Sequence, residues 1–311
     1  MSVAVLFPGQ GSQAVGMGAD LFSACPDLLG ERSDRILGYS LASLCLEGPE
    51  ERLIQTQFAQ PALFALGYAM WTVLAPSLPG PPAAAAGHSL GEYTALAAAG
   101  TIGFEEGLAL VAARGAAMSD AAAAAHGGMA ALLGGDEGSA ARLAAERVAE
   151  GGRLYVANLN APGQTVMAGA AEDLDWLEVN AGEHGVKRVV RLKVAGAFHT
   201  PFMAEAVPAL EAAVAATELS PAAFPVWSNV TARPAAVDEL ASLLVRQVVS
   251  PVRFSETLSG MHESGVDCFI HVGPGDVTAG MARRTVPEAQ VLVANRVDGI
   301  QAAMAAIGTI G

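Results

Sequence analysis

The sequence has few charged and few aromatic side chains: among 311 residues, charged residues make up 15% and aromatic residues 5%. Positive charge is the scarcer sign, since 17 Lys and Arg stand against 31 Asp and Glu, and the formal net charge is −14. Nonspecific binding to nucleic acid or to acidic membranes requires a dominant positive field. The composition therefore argues against both classes of partner.

Cysteine is also scarce, and long apolar runs are missing. Cys25, Cys45 and Cys268 are odd in number and widely spaced, which does not indicate a disulfide framework. No uninterrupted apolar run approaches the roughly 18 residues that a bilayer-spanning helix requires. The segment from Met1 to Phe7 has no basic region and is too short for a signal peptide. We therefore expect a protein of the reducing cytoplasm, with ample core because 52% of the residues are hydrophobic.

The most informative motif is Gly87-His88-Ser89-Leu90-Gly91, which has the form G-x-S-x-G. This pentapeptide presents a serine hydroxyl on a strained turn between a strand and a helix. A helix-like stretch, Glu92 to Ala99, follows at once, so Ser89 is the candidate nucleophile. Because the chain has 35 glycines, the motif gains weight only if a base, an oxyanion hole and an acyl-selecting group accompany it.

A candidate base for Ser89 is found among the six histidines. A serine hydroxyl becomes a good nucleophile when a base takes its proton, and histidine is the usual base. His199 lies in the loop Gly196–Pro201 at the end of a basic strand, where active-site residues of α/β proteins gather. No acidic residue follows it in an obvious strand-end loop to orient the ring. A backbone carbonyl would also serve, since it accepts the Nδ1 hydrogen, and the orienting group stays open at this point.

An oxyanion hole requires two N–H donors. The N–H of Leu90, which follows the nucleophile, is the usual first donor. The loop Phe7–Gly11 offers the second, because its glycines allow the N–H of Gln10 to approach a substrate. The same loop matches the dinucleotide-binding pattern G-x-G-x-x-A after a strand. No strand that ends in an acidic residue follows about twenty positions later, and we therefore favour the oxyanion hole.

The order of elements predicts the fold. Strand-like and helix-like segments alternate, with a helix predicted over Pro61 to Leu74, as in α/β folds. From Gly128 to Val194 the order is βαββαβ, which is the ferredoxin-like order. We therefore predict a large α/β domain with a parallel sheet in residues 1–126 and 197–311. A ferredoxin-like subdomain, residues 127–196, is inserted into it.

Two sets of basic residues require explanation. Arg114 lies in an apolar stripe of the predicted helix Phe104 to Met118, where an arginine snorkels, pairs with a buried carboxylate or binds a ligand anion. Lys187, Arg191 and Lys193 share one face of a predicted strand. That face is either a solvated surface or a site for a phosphate or a carrier protein, and the residues alone leave both questions open.

Several separate stretches, taken in order, resemble one family: the malonyl-CoA:acyl-carrier-protein transacylases and the related acyltransferases of polyketide synthases. Within it, Ile36 to Leu41 followed by Cys45 is similar to free-standing acyltransferases that serve modular synthases in trans. The resemblance covers nearly the whole chain. Its landmarks are Phe7–Gln13, Thr56–Ala62, Gly87–Tyr93, Arg114, Asn158–Gln164, Gly196–His199, Ser250–Arg253 and Gly273–Gly275.

The resemblance implies a hydrolase-like α/β large domain and a role for each candidate residue. Ser89 would carry the acyl ester and His199 would be its base. The N–H groups of Gln10 and Leu90 would form the oxyanion hole. The main-chain carbonyl of Gln247 would orient the histidine, which would explain the missing acid.

The resemblance also implies the substrates. Arg114 would bind the free carboxylate of a malonyl group, in a pocket that includes Phe198, Gln60 and Asn160. Leu90 and Phe198 are similar to the residues of malonyl-selective members. The expected substrates are malonyl-CoA and the phosphopantetheine thiol of a holo acyl carrier protein, with no metal and no bound cofactor, in polyketide or fatty-acid biosynthesis. The alternatives are a serine thioesterase or esterase with water as acceptor, and a catalytically silent docking protein of the same fold.

Overall fold

The structure is a computed structural model that describes residues 1–135 and 137–308. Its strands form two separate sheets. The strands of the described residues are β1 (Val3–Phe7), β2 (Ala84–Gly87), β3 (Gly127–Leu133), β4 (Leu154–Ala161), β5 (Gln164–Ala170), β6 (Arg188–Arg191), β7 (Val226–Trp227), β8 (Cys268–Val272) and β9 (Gln290–Ala294).

Helices cover both sheets. Short 3-10 helices occupy Ala75–Ser77, Ala181–His184 and Pro201–Ala206. The α-helices of the described residues are α1 (Ala19–Ala24), α2 (Pro26–Leu29), α3 (Glu31–Leu37), α4 (Leu41–Glu47), α5 (Glu50–Leu53), α6 (Thr56–Leu74), α7 (Gly91–Ala98), α8 (Phe104–Ala125), α9 (Glu137–Ala149), α10 (Ala171–Asn180), α11 (Val207–Ala215), α12 (Val237–Gln247), α13 (Phe254–Glu263), α14 (Val277–Thr285) and α15 (Gly299–Gly308).

The larger sheet is parallel throughout, with the strand order β7-β2-β1-β8-β9. Its central strands β1, β2 and β8 are buried along their whole length, as expected for a parallel sheet that is covered on both faces. The carboxyl ends of β1 and β2 lie side by side, since Phe7 pairs with Gly87 and the His88 N–H donates to the Phe7 carbonyl at 3.0 Å. This pairing places the loop that contains Gln10 next to the turn that contains Ser89.

The smaller sheet is antiparallel, with the strand order β4-β5-β3-β6. This order confirms the predicted ferredoxin-like arrangement, in which the first and third strands of a βαββαβ unit lie at the centre. The sheet has its own apolar core, in which α9 and α10 pack on residues such as Leu132 and Met167. All four strands fall within the segment predicted as an insertion, and its exact limits, residues 127–196, stay a prediction.

Two helices extend beyond their predicted bounds: α6 begins before Pro61, and α8 continues past Met118 to Ala125. The helix predicted to start at Pro61 begins at Thr56, because the nearly complete burial of its residues offsets the one main-chain hydrogen bond that Pro61 cannot make. By length and composition, Thr56–Ser77 and Phe104–Ala125 would be able to cross a membrane. They pack against each other instead, and 72% of the apolar window of the first is buried within the protein.

The turn between β2 and α7 leaves no space for a side chain at Gly87, since a Cβ atom there would lie 1.8 Å from the Gly91 carbonyl carbon. We predict that Gly87→Ala lowers the free energy of unfolding by about 3 kcal/mol or more, measured by urea denaturation. Gly80→Ala is the matched control, because a Cβ atom there has no neighbour within 4 Å. Equal stability of the two variants would show that the turn relaxes to accommodate a methyl group.

Candidate active site

Ser89 occupies the turn between β2 and α7 with a φ of 51°. This is the left-handed region, which is unfavourable for residues other than glycine and is often found at functional sites. The side chain of Asn229 binds both sides of the turn: its Nδ2 donates to the Gly87 carbonyl at 2.7 Å, and its Oδ1 accepts from the Ser89 N–H at 2.7 Å. The strained turn is therefore fixed by a side chain from the loop after β7.

His199 lies beside Ser89, in the loop between β6 and the 3-10 helix Pro201–Ala206. Its Nε2 is 2.8 Å from the Ser89 Oγ, and its Nδ1 is 2.9 Å from the main-chain carbonyl of Gln247. Since a carbonyl only accepts, Nδ1 carries the hydrogen and Nε2 is left to accept from the serine hydroxyl. The arrangement of nucleophile, base and orienting acceptor is that of a serine acyl-transfer site.

The His199 ring is buried and uncharged at neutral pH. Burial, followed by the positive charge of Arg114, lowers the pKa of His199 to about 3, whereas the bond to the Gln247 carbonyl acts in the opposite direction. A neutral imidazole is the form that accepts a proton from a nucleophile. The ring is therefore in the form that a base requires.

Arg114 on α8 is completely buried, and its guanidinium extends to the serine. Its Nη2 lies 3.0 Å from the Ser89 Oγ and 2.8 Å from the Gln247 Oε1, and its Nη1 lies 2.6 Å from the Gln60 Oε1. The group also lies over the Tyr93 ring, 5.1 Å from its centroid. Within residues 1–135 and 137–308, no carboxylate forms an ion pair with Arg114.

The partners of this buried cation are therefore neutral. Burial lowers the pKa of the Arg114 guanidinium, and the Nε of Arg114 has no hydrogen-bond partner among the described residues. A buried charge is costly without an opposite charge, and a guanidinium fork binds carboxylates bidentately. Of the alternatives that the sequence left open, neither snorkelling nor a direct buried ion pair fits, whereas an anion-binding role does.

The main-chain N–H groups of Gln10 and Leu90, the predicted oxyanion-hole donors, make no hydrogen bond within the described residues. The Gln10 loop approaches the serine turn so closely that a Cβ atom on Gly9 would lie 2.3 Å from the His88 carbonyl oxygen. The Gln10 side chain donates to the Ile54 carbonyl at 3.4 Å, which fixes the loop.

The three residues expected in the substrate pocket are all buried, but they have different partners. Gln60 binds Arg114, as described above. The Oδ1 of Asn160 accepts from the His88 Nε2 at 2.7 Å, and Asn160 therefore contacts the serine turn rather than the serine itself. Phe198 belongs to the main apolar core and directly precedes His199.

Two residues of the site were not identified from the sequence. Glu92, directly after the pentapeptide, is buried, and its Oε2 accepts from the Gln247 Nε2 at 2.6 Å and the Asn229 N–H at 3.0 Å. A glutamate inside an apolar helix was the signal that would have identified it. Asn229 follows the two-residue strand β7, a position beside β2 that no local sequence pattern reveals.

The dinucleotide alternative does not agree with the structure. That fingerprint requires a helix that opens within the glycine loop, where its N-terminus binds the pyrophosphate. The first helix after the loop, α1, begins only at Ala19. Among the described residues, no group of three or more His, Cys, Asp or Glu side chains is placed to bind a metal ion.

Of the basic residues around β6 that were predicted to share a face, only some are without an ion-pair partner in the described structure. Lys187, Arg191 and Lys193 are all exposed, but β6 covers only Arg188–Arg191, so the two lysines flank the strand instead of sharing a face within it. Arg191 forms ion pairs with Asp175 and Glu178, both at 2.5 Å. The two lysines are therefore the members of this set that offer unpaired positive charge in the described structure.

A strand, a sharp turn with serine and a helix, together with a histidine in contact, define the class of α/β hydrolases and acyltransferases. Comparison with known proteins makes this specific. The acyl transferase domain family matches residues 5–305 of this chain, and the chain belongs to that family.

Two relatives and one solved structure show which members of the family this chain is similar to. The chain is 44% identical to the polyketide biosynthesis protein ThaF of Burkholderia thailandensis over 92% of its own length, but it spans only 24% of that longer protein. It is 39% identical to the malonyl CoA-acyl carrier protein transacylase of Bacillus subtilis, over 91% of this chain and 90% of the relative. A solved malonyl-transacylase in complex with its type II polyketide synthase acyl-carrier protein superposes with a TM-score of 0.93 at 35% identity, over 98% of this chain and 100% of that chain.

The charge of Arg114 should control the ionisation of His199. We predict that Arg114→Met raises the pKa of His199 from about 3 by about 1 unit or more, because removal of a nearby positive charge favours the imidazolium. An NMR titration of the histidine ring signals in the wild type and the variant measures this pKa. His271 is an internal control, because burial rather than Arg114 lowers its pKa to about 4. An unchanged His199 pKa would show that the two groups are not coupled.

Proposed function

We propose that this chain moves a malonyl group from coenzyme A to the phosphopantetheine thiol of a holo acyl carrier protein through an ester on Ser89. One observation carries the proposal: the Ser89 Oγ lies 2.8 Å from the His199 Nε2 and 3.0 Å from the Arg114 Nη2. A single hydroxyl is thus within reach of a base and of a buried cation. The base activates the nucleophile, and the cation is the complement of the second carboxylate of a diacid.

In the first half of the reaction, the Ser89 Oγ attacks the thioester carbonyl carbon while the His199 Nε2 takes the hydroxyl proton. The Gln247 carbonyl stabilises the resulting imidazolium through Nδ1–H. The N–H groups of Gln10 and Leu90 donate to the oxyanion. The intermediate collapses by breaking its C–S bond, and His199 returns the proton to the departing coenzyme A thiolate.

In the second half, the same groups act in reverse. The carrier's pantetheine thiol gives its proton to His199 and attacks the malonyl-Ser89 ester. Collapse breaks the C–O bond, and the proton returns to the Ser89 Oγ. His199 carries every proton in these steps, and the proposal therefore includes no resident metal or organic cofactor.

Arg114 supplies the selectivity for a diacid. The amide oxygens of Gln60 and Gln247 hold its guanidinium from two sides, so the fork is oriented before the substrate arrives. A malonyl carboxylate would replace the Ser89 Oγ as a partner of Nη2. Phe198 and Leu90 limit the space around the acyl group, which favours malonyl over an α-methylated acyl group.

The relatives support a proposal for the pathway and the partner of this reaction. Relatives from Bacillus velezensis and Bacillus subtilis are named polyketide biosynthesis malonyl CoA-acyl carrier protein transacylases, and one solved relative is complexed with an acyl carrier protein. We propose the same kind of partner for this chain, in the cytoplasm. The finer assignment to a free-standing enzyme that serves modular synthases in trans stays a prediction from sequence.

The test of the acyl enzyme is intact-protein mass spectrometry after brief mixing with malonyl-CoA or acetyl-CoA. We predict a malonyl adduct on the wild type that Ser89→Ala abolishes. Arg114→Ala should lower the malonyl loading rate about 100-fold, because charge-assisted hydrogen bonds to the carboxylate are lost. It should leave acetyl loading unchanged or faster.

Arg296→Ala is the matched control, since Arg296 is an exposed arginine that pairs only with the exposed Asp298 in the described structure. A parallel loss of malonyl and acetyl loading in Arg114→Ala would contradict the carboxylate role. A wild-type adduct that water removes equally fast with and without holo carrier would favour the thioesterase alternative. Absence of any adduct with a range of acyl-CoA donors would favour the silent docking protein.

The acidic net charge requires a local basic surface for an acidic carrier, and we propose that Lys187 and Lys193 contribute to it. Lys187→Glu together with Lys193→Glu should raise the KM for carrier roughly 3- to 10-fold, because exposed charges contribute modestly. The KM for malonyl-CoA should change less. Arg191→Glu is the comparison in the same segment of the chain, and it should have a smaller effect because Arg191 is already paired with Asp175 and Glu178. Equal changes in both KM values would contradict the docking role.

A further inference from the structure

We propose that Glu92 is a positioning residue that fixes the side-chain amide of Gln247 and, through it, the carboxylate-binding orientation of Arg114. This inference rests on the proposed function and deepens it. Glu92 does not hydrogen-bond to the serine hydroxyl; it acts through Gln247, which contacts Ser89, His199 and Arg114.

Gln247, the last residue of α12, is that residue. Its main-chain carbonyl accepts from His199 at 2.9 Å, and its Oε1 accepts from Arg114 at 2.8 Å. Its Nε2 donates to the Ser89 carbonyl at 3.0 Å and to Glu92 at 2.6 Å. One residue therefore connects the three groups: its main chain holds the base, and its side chain contacts the cation and the main chain of the nucleophile.

An amide is nearly symmetric in shape, so its orientation depends on what surrounds it. An ionised carboxylate only accepts hydrogen bonds, and Glu92 therefore requires the NH₂ group of Gln247 on its side. The Oε1 of Gln247 is then directed at Arg114. A flipped amide would place its oxygen against the carboxylate and its NH₂ against the guanidinium, which is unfavourable at both ends.

Glu92 acts on the serine turn as well. The oxygen that accepts from Gln247 also accepts from the Asn229 N–H at 3.0 Å, and the Asn229 side chain binds the Ser89 N–H. The carboxylate thus stabilises the serine turn through Asn229 and the position of Arg114 through Gln247. A glutamate that only stabilised its own helix would not need hydrogen bonds both to Asn229 and to Gln247.

The ionisation of Glu92 should then control malonyl loading. Burial raises the pKa of Glu92 to about 7, against the opposing hydrogen bonds from Asn229, Gln247 and Ser228 and the charge of Arg114. Those groups face it from α8, α12 and the loop after β7, and Tyr93 is its neighbour on α7. A protonated carboxyl donates as well as accepts, so only the Ser89 carbonyl and Arg114 then determine the orientation of the Gln247 amide. Malonyl loading should fall as the pH falls through about 7, whereas His199, with its pKa of about 3, does not titrate there.

The experiment compares wild type, Glu92→Gln and the exposed control Glu183→Gln in single-turnover loading from pH 5.5 to 9. The donors are the malonyl and acetyl thioesters of N-acetylcysteamine, which carry no titrating phosphate. For the wild type we expect an acid limb near pH 7 with the malonyl donor and a flatter profile with the acetyl donor. In Glu92→Gln the limb should disappear, and the malonyl-to-acetyl rate ratio at pH 8 should fall about 10-fold, since a neutral amide no longer dictates the orientation of its neighbour.

The melting temperature of the variant distinguishes this outcome from loss of folding. The pKa of Glu92 is higher in the folded protein than the ordinary 4.5, so the folded state binds this proton more tightly and stability falls as the pH rises between these values. The neutral amide of the Glu92→Gln variant has no such loss, and the melting temperature of this variant at pH 8 should equal or exceed that of the wild type. A lower melting temperature together with equal losses in both donors would identify a structural role and overturn the proposal.

The outcomes separate this inference from the proposed function. A wild type that forms the malonyl ester while Glu92→Gln keeps both the acid limb and the rate ratio would overturn the role of Glu92 alone. A wild type that forms the ester without any acid limb would do the same. A wild type that forms no malonyl ester on Ser89 would overturn the proposed function itself.

Discussion

The site is organised around a positive charge that the fold buries without an opposite charge in contact. Arg114 is completely buried beside Ser89, and its direct partners are two amide oxygens and the serine hydroxyl. Such an arrangement costs stability, because the desolvation of the guanidinium is only partly offset. The same incomplete compensation makes the site attractive to a carboxylate, and the charge lowers the proton affinity of His199.

The main chain of the turn between β2 and α7 is also tightly constrained. Ser89 adopts a left-handed conformation, and the glycines on either side of it are required because neighbouring main-chain atoms occupy the space of a Cβ atom. The pentapeptide is therefore a steric requirement of the turn as much as a chemical one. Asn229 then fixes the turn through two hydrogen bonds, which places the Oγ of Ser89 without any contribution from a substrate.

The sequence predicts those parts of the fold and the site for which a local pattern has a single physical solution. The G-x-S-x-G turn predicts Ser89 at the end of β2, and the βαββαβ order predicts the small sheet. Arg114 remained ambiguous, since a helical stripe shows which face is buried but not which atoms meet there. The Gln247 carbonyl had no signal in the residues themselves, because every residue has one; only family resemblance indicated it. Glu92 was missed because its role depends on partners from distant segments of the chain.

The insertion of the small sheet has a mechanical consequence. The chain leaves the large domain at the end of α8, the helix that carries Arg114, and enters β3 two residues later. It returns through β6 into the loop that carries His199. Arg114 and His199 thus lie on the two chain segments that join the ferredoxin-like unit to the rest of the protein. A rotation of that unit would therefore move the segments that carry both residues, and the distances from Arg114 and His199 to Ser89 would change together.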